Sequence, residues 1–161
     1  MDSSELEKLY HLYANELFFY SLSFTKNKTD AEELVSDAFY QLSMQVTLPS
    51  HIKFWLFHVV KNKFIDQERR KKRWAFFSLD NVILTDSNQN DTPILVKEKH
   101  QALYNGINQL KYPYKEITLL YYFLEWPTKE ISQYLGLSIN QVRVYLHRSR
   151  KQLKEMLEDD F

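Results

Sequence analysis

Side chains that could contact the edges of base pairs lie close together near the end of the chain. At about 100° per residue, they share one face of a predicted helix. The outward residues are Asn140, Val144, His147 and Lys151, and Arg143 and Arg148 flank that face on either side. An asparagine amide can pair with adenine, an arginine with guanine, and a valine methyl can contact a thymine methyl. The face therefore predicts a helix that binds the DNA major groove, and the alternative is an ordinary solvated face of an amphipathic helix.

The residues around the start of this helix indicate a helix-turn-helix. Thr128 is expected to cap a short helix, and Gly136 to end it, because glycine tolerates the left-handed conformation after a helix terminus. Ser138 and Gln141 have the spacing of a capping box for the next helix. Val142, Leu146, Ser149 and Leu153 would form the buried face of that helix. Some helix-turn-helix units bind only proteins, so a protein partner is the alternative.

Charge is segregated along the chain, although 21 Lys and Arg balance 21 Asp and Glu. Residues 51–75 hold 8 basic and 2 acidic residues, a net +6, and residues 128–157 hold 6 basic and 2 acidic residues, a net +4. Two basic blocks separated by an acidic stretch predict two contacts with a polyanion, unless they reflect ordinary surface variation. Within the second block, Arg150 and Lys154 are better placed for phosphates than for bases.

The predicted third helix interleaves aromatic residues with Lys, Asn and His. This composition suits an unpaired nucleic-acid strand, whose bases stack on rings while cations hold the phosphates. Trp55 and Phe57 also fit a hydrophobic core, and for Trp55 the core is preferred. Asn62, Lys63 and Asp66 fit a solvated surface and a nucleic-acid contact equally well.

Apolar residues recur at spacings of three and four, which predicts helices nearly throughout. With only 2 Gly and 4 Pro, the composition favours long helices joined by short connections. The helices are expected at about 5–25, from a capping box at Thr29 and Glu32 onward, and at about 52–73, 96–110, 114–124, 129–135 and 138–157.

Residues 76–95 lose this periodicity and are rich in Ser, Asp, Asn, Gln and Thr, which predicts an interdomain linker. The expected fold is therefore all-α, with two small helical domains at 1–75 and 96–161. A flexible acidic and polar linker would join them.

Several classes of protein are disfavoured. The chain has no Cys, which rules out disulfides and thiolate metal sites. It lacks the pattern of a signal peptide and any run of roughly 20 apolar residues, so a soluble intracellular protein is expected. The 5 His form no pair at the spacing of four, and 2 Gly cannot build a phosphate-binding loop. We expect no enzyme activity, catalytic residue, metal, cofactor or small-molecule substrate.

The sequence resembles the extracytoplasmic-function (ECF) sigma factors, the minimal type of the sigma-70 family. Three motifs carry the resemblance, and they occur in the same order as in that family. Residues 29–39 (TDAEELVSDAF) resemble part of region 2, as do residues 54–57 (FWLF) with 60–66 (VKNKFID). Residues 129–153 contain KEI, LGLS, VR and LHRSRKQL and resemble region 4. The resemblance covers nearly the whole chain except 76–95. Arg143-Val144-Tyr145 departs from the usual Lys-Ser-Arg, and Val60-Lys61 from the frequent Ala-Arg.

The resemblance implies roles for three sets of residues. Residues expected to dock on core RNA polymerase are Glu33, Ser36, Asp37 and Tyr40. Those expected at the −10 promoter element are Asn62, Lys63, Asp66, Arg69 and Arg70. Those expected at the −35 element are Ser138, Asn140, Gln141, Arg143, Val144, His147, Arg148 and Lys151. The loop 46–52 would hold a flipped base, and the linker would pass near the polymerase active centre and RNA exit path.

The expected partners are core RNA polymerase, promoter DNA and an anti-sigma factor, with the protein monomeric when free or inhibited. It would work in the cytoplasm, or be held at the membrane by a membrane-anchored anti-sigma factor. A stand-alone helix-turn-helix regulator with a helical sensor or dimerisation domain is the alternative. That alternative leaves the segment resembling a polymerase-docking motif unexplained.

Overall fold

The computed structural model describes residues 1–77 and 98–159, and every regular element within them is an α-helix. The chain divides into two compact units, Met1–Thr92 and Pro93–Phe161, here called the N-terminal and C-terminal units. The all-α prediction is therefore confirmed. The predicted linker lies outside the described residues from Ser78 onward, so the boundaries drawn at 75 and 96 stay predictions.

The N-terminal unit packs three helices: α1 (Ser3–Thr25), α2 (Lys28–Ser43) and α3 (Ile52–Phe77). Its core consists mainly of leucines and aromatic residues, namely Leu17, Tyr20, Leu34, Phe39, Leu42, Leu56, Phe57 and Val60. The ring centres of Tyr20 and Phe57 are 4.8 Å apart, and those of Phe24 and Phe64 are 4.7 Å apart. A fully buried side chain such as Phe57 contributes about 1.5–3 kcal/mol, so aromatic packing helps to hold α1 and α3 together.

The cap of α2 differs from the prediction. Asn27, with extended backbone (φ −141°, ψ 122°), accepts a hydrogen bond from the Asp30 N–H at 3.0 Å. Asparagine is among the strongest N-caps and comes first along the chain, so the helix begins at Lys28. Thr29 and Glu32 consequently lie inside the helix, and the capping box predicted for them is wrong.

The third helix is longer than its apolar stripe predicted, because α3 continues to Phe77 instead of ending near residue 73. Arginine and lysine are good helix formers, and no Gly or Pro interrupts the segment. A helix can therefore persist beyond the residues that give it a buried face. The exposed basic run at 69–73 immediately precedes this extension.

The C-terminal unit contains α4 (Glu98–Gln109), α5 (Tyr114–Tyr122), α6 (Thr128–Leu135) and α7 (Ile139–Asp159). Its core residues come from all four helices and the α5–α6 connection: Tyr104, Ile107, Ile117, Leu120, Trp126, Ile131, Tyr134, Val142, Leu146 and Leu153. A Cβ added at Gly106 would lie 3.1 Å from Cδ2 of Leu153, so α4 and α7 approach closely at that glycine.

The ends of α5 and α6 also differ from the prediction. The fifth helix ends at Tyr122, two residues early, because Glu125 has a left-handed backbone (φ 56°) and the Trp126 N–H turns back to the Leu120 carbonyl at 2.9 Å. Thr128 is the first residue of α6 and not its cap. The residue before it, Pro127, provides no side-chain cap.

Candidate nucleic-acid interface

The turn that leads into α7 has the predicted chemistry. Gly136 ends α6 with φ 69°, and its N–H bonds the Ser132 carbonyl. The Gln141 N–H then donates to Ser138 Oγ at 3.0 Å, while the Ser138 N–H donates to Gln141 Oε1 at 2.8 Å. This reciprocal pair is a complete capping box, so the predicted start of the helix is confirmed. It fixes the direction in which α7 leaves the turn.

The two faces of α7 separate as predicted. Val142, Leu146, Ser149 and Leu153 are buried. The residues expected to read bases or hold phosphates are all exposed: Ser138, Asn140, Gln141, Arg143, Val144, His147, Arg148 and Lys151. Val144 is 46% exposed and lies on the face opposite the buried residues. The exposed face thus presents one apolar group among polar and basic ones, which are groups able to contact base edges in a major groove.

Tyr145 stands where the resemblance leads one to expect arginine. Its ring lies 5.3 Å from the Tyr114 ring in an edge-to-face arrangement, and its side chain is half-buried. The residue therefore packs α7 onto α5. This edge-to-face contact is a structural role that an arginine at this position would not reproduce.

Arg150 contacts α5 within the C-terminal unit, and because its side chain is exposed its assignment to a phosphate stays a prediction. Its Nε donates to the Tyr122 hydroxyl, and its guanidinium carbon lies 5.8 and 5.7 Å from the Tyr121 and Tyr122 ring centres. The hydrogen bond to Tyr122 holds the pKa of Arg150 above its usual value. Arg150 therefore acts as a clasp between α5 and α7. Lys154, the other candidate, has its Nζ 4.0 Å from a Glu158 carboxylate oxygen.

This clasp leads to a stability prediction. Tyr122→Phe and Arg150→Ala should each destabilise the C-terminal unit by about 1 kcal/mol, because each removes one hydrogen bond. The unfolding midpoint should fall by about 4–8 °C. The double variant should be no less stable than Arg150→Ala, and exposed Lys151→Ala serves as the control. Additive losses in thermal unfolding would contradict a shared interaction.

On α3, the residues assigned to the −10 element do not share one environment. Asn62, Asp66, Arg69 and Arg70 are exposed. Lys63 is half-buried, and its Nζ lies 2.9 Å from a carboxylate oxygen of Asp37. The exposed basic run continues to Arg73. Within it, Lys71 Nζ lies 3.4 Å from a carboxylate oxygen of Glu68.

On α2, three of the four residues assigned to polymerase docking are exposed: Glu33, Ser36 and Tyr40. Asp37 was expected to point outward and instead lies at the α2–α3 contact. The structure thus joins a residue from the docking set to one from the −10 set. No local pattern could have revealed this pair, because its members come from different helices.

The segment between α2 and α3 presents apolar and aromatic groups. Val46 is fully exposed, and the His51 ring stacks on Phe54 at 3.6 Å with 9° between the planes. His51 Nδ1 also accepts from the Phe54 N–H at 3.3 Å, so the ring is held over the start of α3. Phe57 is fully buried, as its core interpretation predicted, and Trp55 is half-buried.

Other kinds of site were sought in the described residues. Residues 1–77 and 98–159 bring together no group of three or more His, Cys, Asp or Glu side chains suited to a metal ion. Among the helices of these same residues, none combines the length and hydropathy that a bilayer span requires.

Comparison with known proteins identifies the two units. Residues 9–75 match the family model for sigma-70 region 2, and residues 100–153 match that for sigma-70 region 4. The ECF RNA polymerase sigma factor SigM of Bacillus subtilis is 30% identical over 153 residues, which is 94% of each chain. The B. subtilis RNA polymerase sigma factor YlaC is 27% identical over 156 residues, covering 93% of this chain and 90% of its own.

Solved structures share the fold. The sigma factor RpoE of Bartonella quintana, in complex with the anti-sigma factor NepR, superposes with a TM-score of 0.70 at 21% identity, over 98% of this chain and 99% of its own. CnrH, in complex with the cytosolic domain of CnrY, superposes with a TM-score of 0.66 at 20% identity, over 99% and 92%. Both family models and the full-length relatives agree with the helix-turn-helix and the three-helix unit described above, and the chain belongs to the ECF sigma factors of the sigma-70 family.

Proposed function

We propose that this protein binds core RNA polymerase and directs transcription initiation at specific promoters. The N-terminal unit would open and read the −10 element, and the C-terminal unit would read the −35 element. The observation that carries this proposal is the exposed face of α7, fixed by the Ser138–Gln141 capping box, in a chain that matches both sigma-70 regions. Catalysis would belong to the polymerase, with no reaction performed by this chain.

The division of labour follows from what each unit exposes. The C-terminal unit offers an amide, an imidazole, a methyl-bearing side chain and several cations on one rigid helix, which suits duplex DNA. The N-terminal unit offers a basic helix that has the stacked His51–Phe54 pair at its start, which suits an opened strand. The exposed residues of α2, with Glu33 as a carboxylate, would meet a basic polymerase surface.

An anti-sigma factor is the third proposed partner. The two superposed structures are complexes, one with the anti-sigma factor NepR and one with the cytosolic domain of CnrY. The protein would act where the polymerase is, in the cytoplasm, and a membrane-anchored inhibitor could hold it at the membrane. The alternative of a stand-alone regulator would not explain why residues 9–75 match sigma-70 region 2.

Transcription of fragmented genomic DNA by core polymerase, with and without this protein, tests the proposal. Mapping of 5′ ends should reveal new start sites that share two upstream elements at constant spacing. The control is core polymerase alone. If the protein bound DNA by itself but created no polymerase-dependent start sites, the stand-alone regulator would be favoured.

A second test separates promoter opening from initial binding. Asn62→Ala and Arg69→Ala should each make the free energy of open-complex formation less favourable by about 1–3 kcal/mol, and the free energy of closed binding should change less. The reason is that the bases these residues would contact become available only after the DNA melts. Permanganate reactivity of the −10 thymines measures opening, and low-temperature gel shifts measure closed binding. Lys28→Ala removes an exposed cation elsewhere and is the control. Equal losses at both stages would mean that α3 supplies only charge.

A further inference from the structure

The half-buried ion pair between Asp37 and Lys63 joins the two helices to which polymerase docking and −10 recognition are assigned. The Lys63 Nζ lies 2.9 Å from Asp37 Oδ1, and the Gln41 amide donates to Asp37 Oδ2 at 2.6 Å. The carboxylate is thus held on both oxygens. The two side chains are 25% and 38% exposed, so the pair is only partly screened by solvent.

Helix geometry explains why Lys63 is on this contact. At 100° per residue, Asp66 and Arg69 lie within about 40° of Asn62 on the exposed side of α3. Lys63 lies about 100° from Asn62 and only about 20° from Leu56, which is fully buried. Its stem therefore leaves the helix beside the core, and its ammonium emerges against α2.

The same geometry applies to Asp37 on the other helix. Its position lies about 60° from Leu34, a core residue, and about 60° on the other side from exposed Tyr40. Asp37 therefore stands at the border between the core and the proposed docking surface. Glu33 and Tyr40, which are exposed, remain available to a partner.

We propose that Lys63 is a positioning residue that acts through Asp37, and not a direct DNA contact. This inference rests on the proposed function. The ion pair, braced by Gln41, fixes the rotation of α3 on α2, so that docking of α2 on the polymerase sets where Asn62, Asp66 and Arg69 meet the opened strand. A small rotation of α3 would move all three groups together, which is why one pair can affect the whole surface.

A double-mutant cycle in the holoenzyme tests this coupling. The variants are Asp37→Asn, Lys63→Met, which keeps the aliphatic stem, their combination, and Lys63→Arg. We expect each of the first two to slow promoter opening by up to about fivefold, which corresponds to the upper end of the coupling energies of exposed ion pairs. The combination should be no slower than the slower single variant, and Lys63→Arg should restore opening.

Two further measurements distinguish positioning from its rivals. The salt dependence of promoter binding should keep its slope in Lys63→Met, because no phosphate contact is lost. A slope reduced by about 0.7, the loss expected for one phosphate of a single strand, together with additive effects, would assign Lys63 to DNA and overturn the proposal. Opening rates are measured at temperatures well below each variant's unfolding midpoint, which separates positioning from stability. If the variants opened promoters at the wild-type rate under those conditions, the proposal would also be overturned. Failure of the wild-type protein to initiate transcription would count against the proposed function instead.

Discussion

Replacement of Trp126 by alanine is expected to unfold the C-terminal unit while α1, α2 and α3 stay folded. Trp126 is 1% exposed, and its ring lies edge-to-face with the Tyr134 ring at 5.3 Å between the ring centres. Removing such a side chain costs about 3–5 kcal/mol. A single core in a unit of this size rarely supplies more than about 3–5 kcal/mol, so the loss should exhaust its stability.

Amide hydrogen exchange measured by peptide mass spectrometry checks this expectation, because it reports on each unit separately. Peptides from 98–159 should lose protection in Trp126→Ala, and peptides from 1–77 should keep it. Trp126→Phe, which retains an aromatic ring, should lose much less. Simultaneous loss of protection in both sets would show one cooperative unit and would contradict the proposed division at residues 76–95.

The same substitution tests a functional expectation. A protein with only its N-terminal unit folded should still bind core polymerase through α2, but it should no longer depend on the −35 sequence. Polymerase affinity measured with Trp126→Ala should therefore fall far less than transcription from a promoter that has a −35 element. A parallel loss of both would mean that the C-terminal unit contributes most of the polymerase contact.

Local patterns predicted the helix-turn-helix well, because its signals act within a few residues. The left-handed backbone at the end of α6 favours a glycine, which is Gly136. The capping box of α7 needs only Ser138 and Gln141 at the correct spacing. The buried face of α7 follows from the helical period alone. The family resemblance then supplied the functional roles, which the local patterns do not contain.

Contacts between helices could not be predicted in this way. Arg150 and Tyr122 are 28 residues apart, and their hydrogen bond depends on how α5 and α7 cross. The pairing of Lys63 with Asp37 depends likewise on the packing of α2 and α3. At the start of α2, the prediction placed the cap at Thr29, whereas Asn27, two residues earlier, accepts the hydrogen bond from the Asp30 N–H. Periodicity identifies a helix face but not the neighbour that it meets.

Recognition of the −35 element is expected to depend on Arg143 at one or two base pairs. Arg143 is exposed in the second turn of α7, near the end that enters a major groove most deeply in helix-turn-helix proteins. Arg143→Ala should cost about 1–3 kcal/mol at the contacted base pair and leave other positions unchanged. Lys151 lies more than two turns further along the same exposed face. Lys151→Ala should weaken all sequences alike, as loss of a phosphate contact does.

A promoter library in which every −35 base is varied, transcribed by the wild-type protein and by each variant, measures this difference. Ser138 and Gln141 already use their side chains in the capping box, so the base contacts should come mainly from Asn140, Arg143, Val144 and His147. Asn140→Ala should therefore also relax one position, different from that of Arg143. If Asn140→Ala and Arg143→Ala both kept the wild-type −35 preference, α7 would not be the helix that reads the promoter.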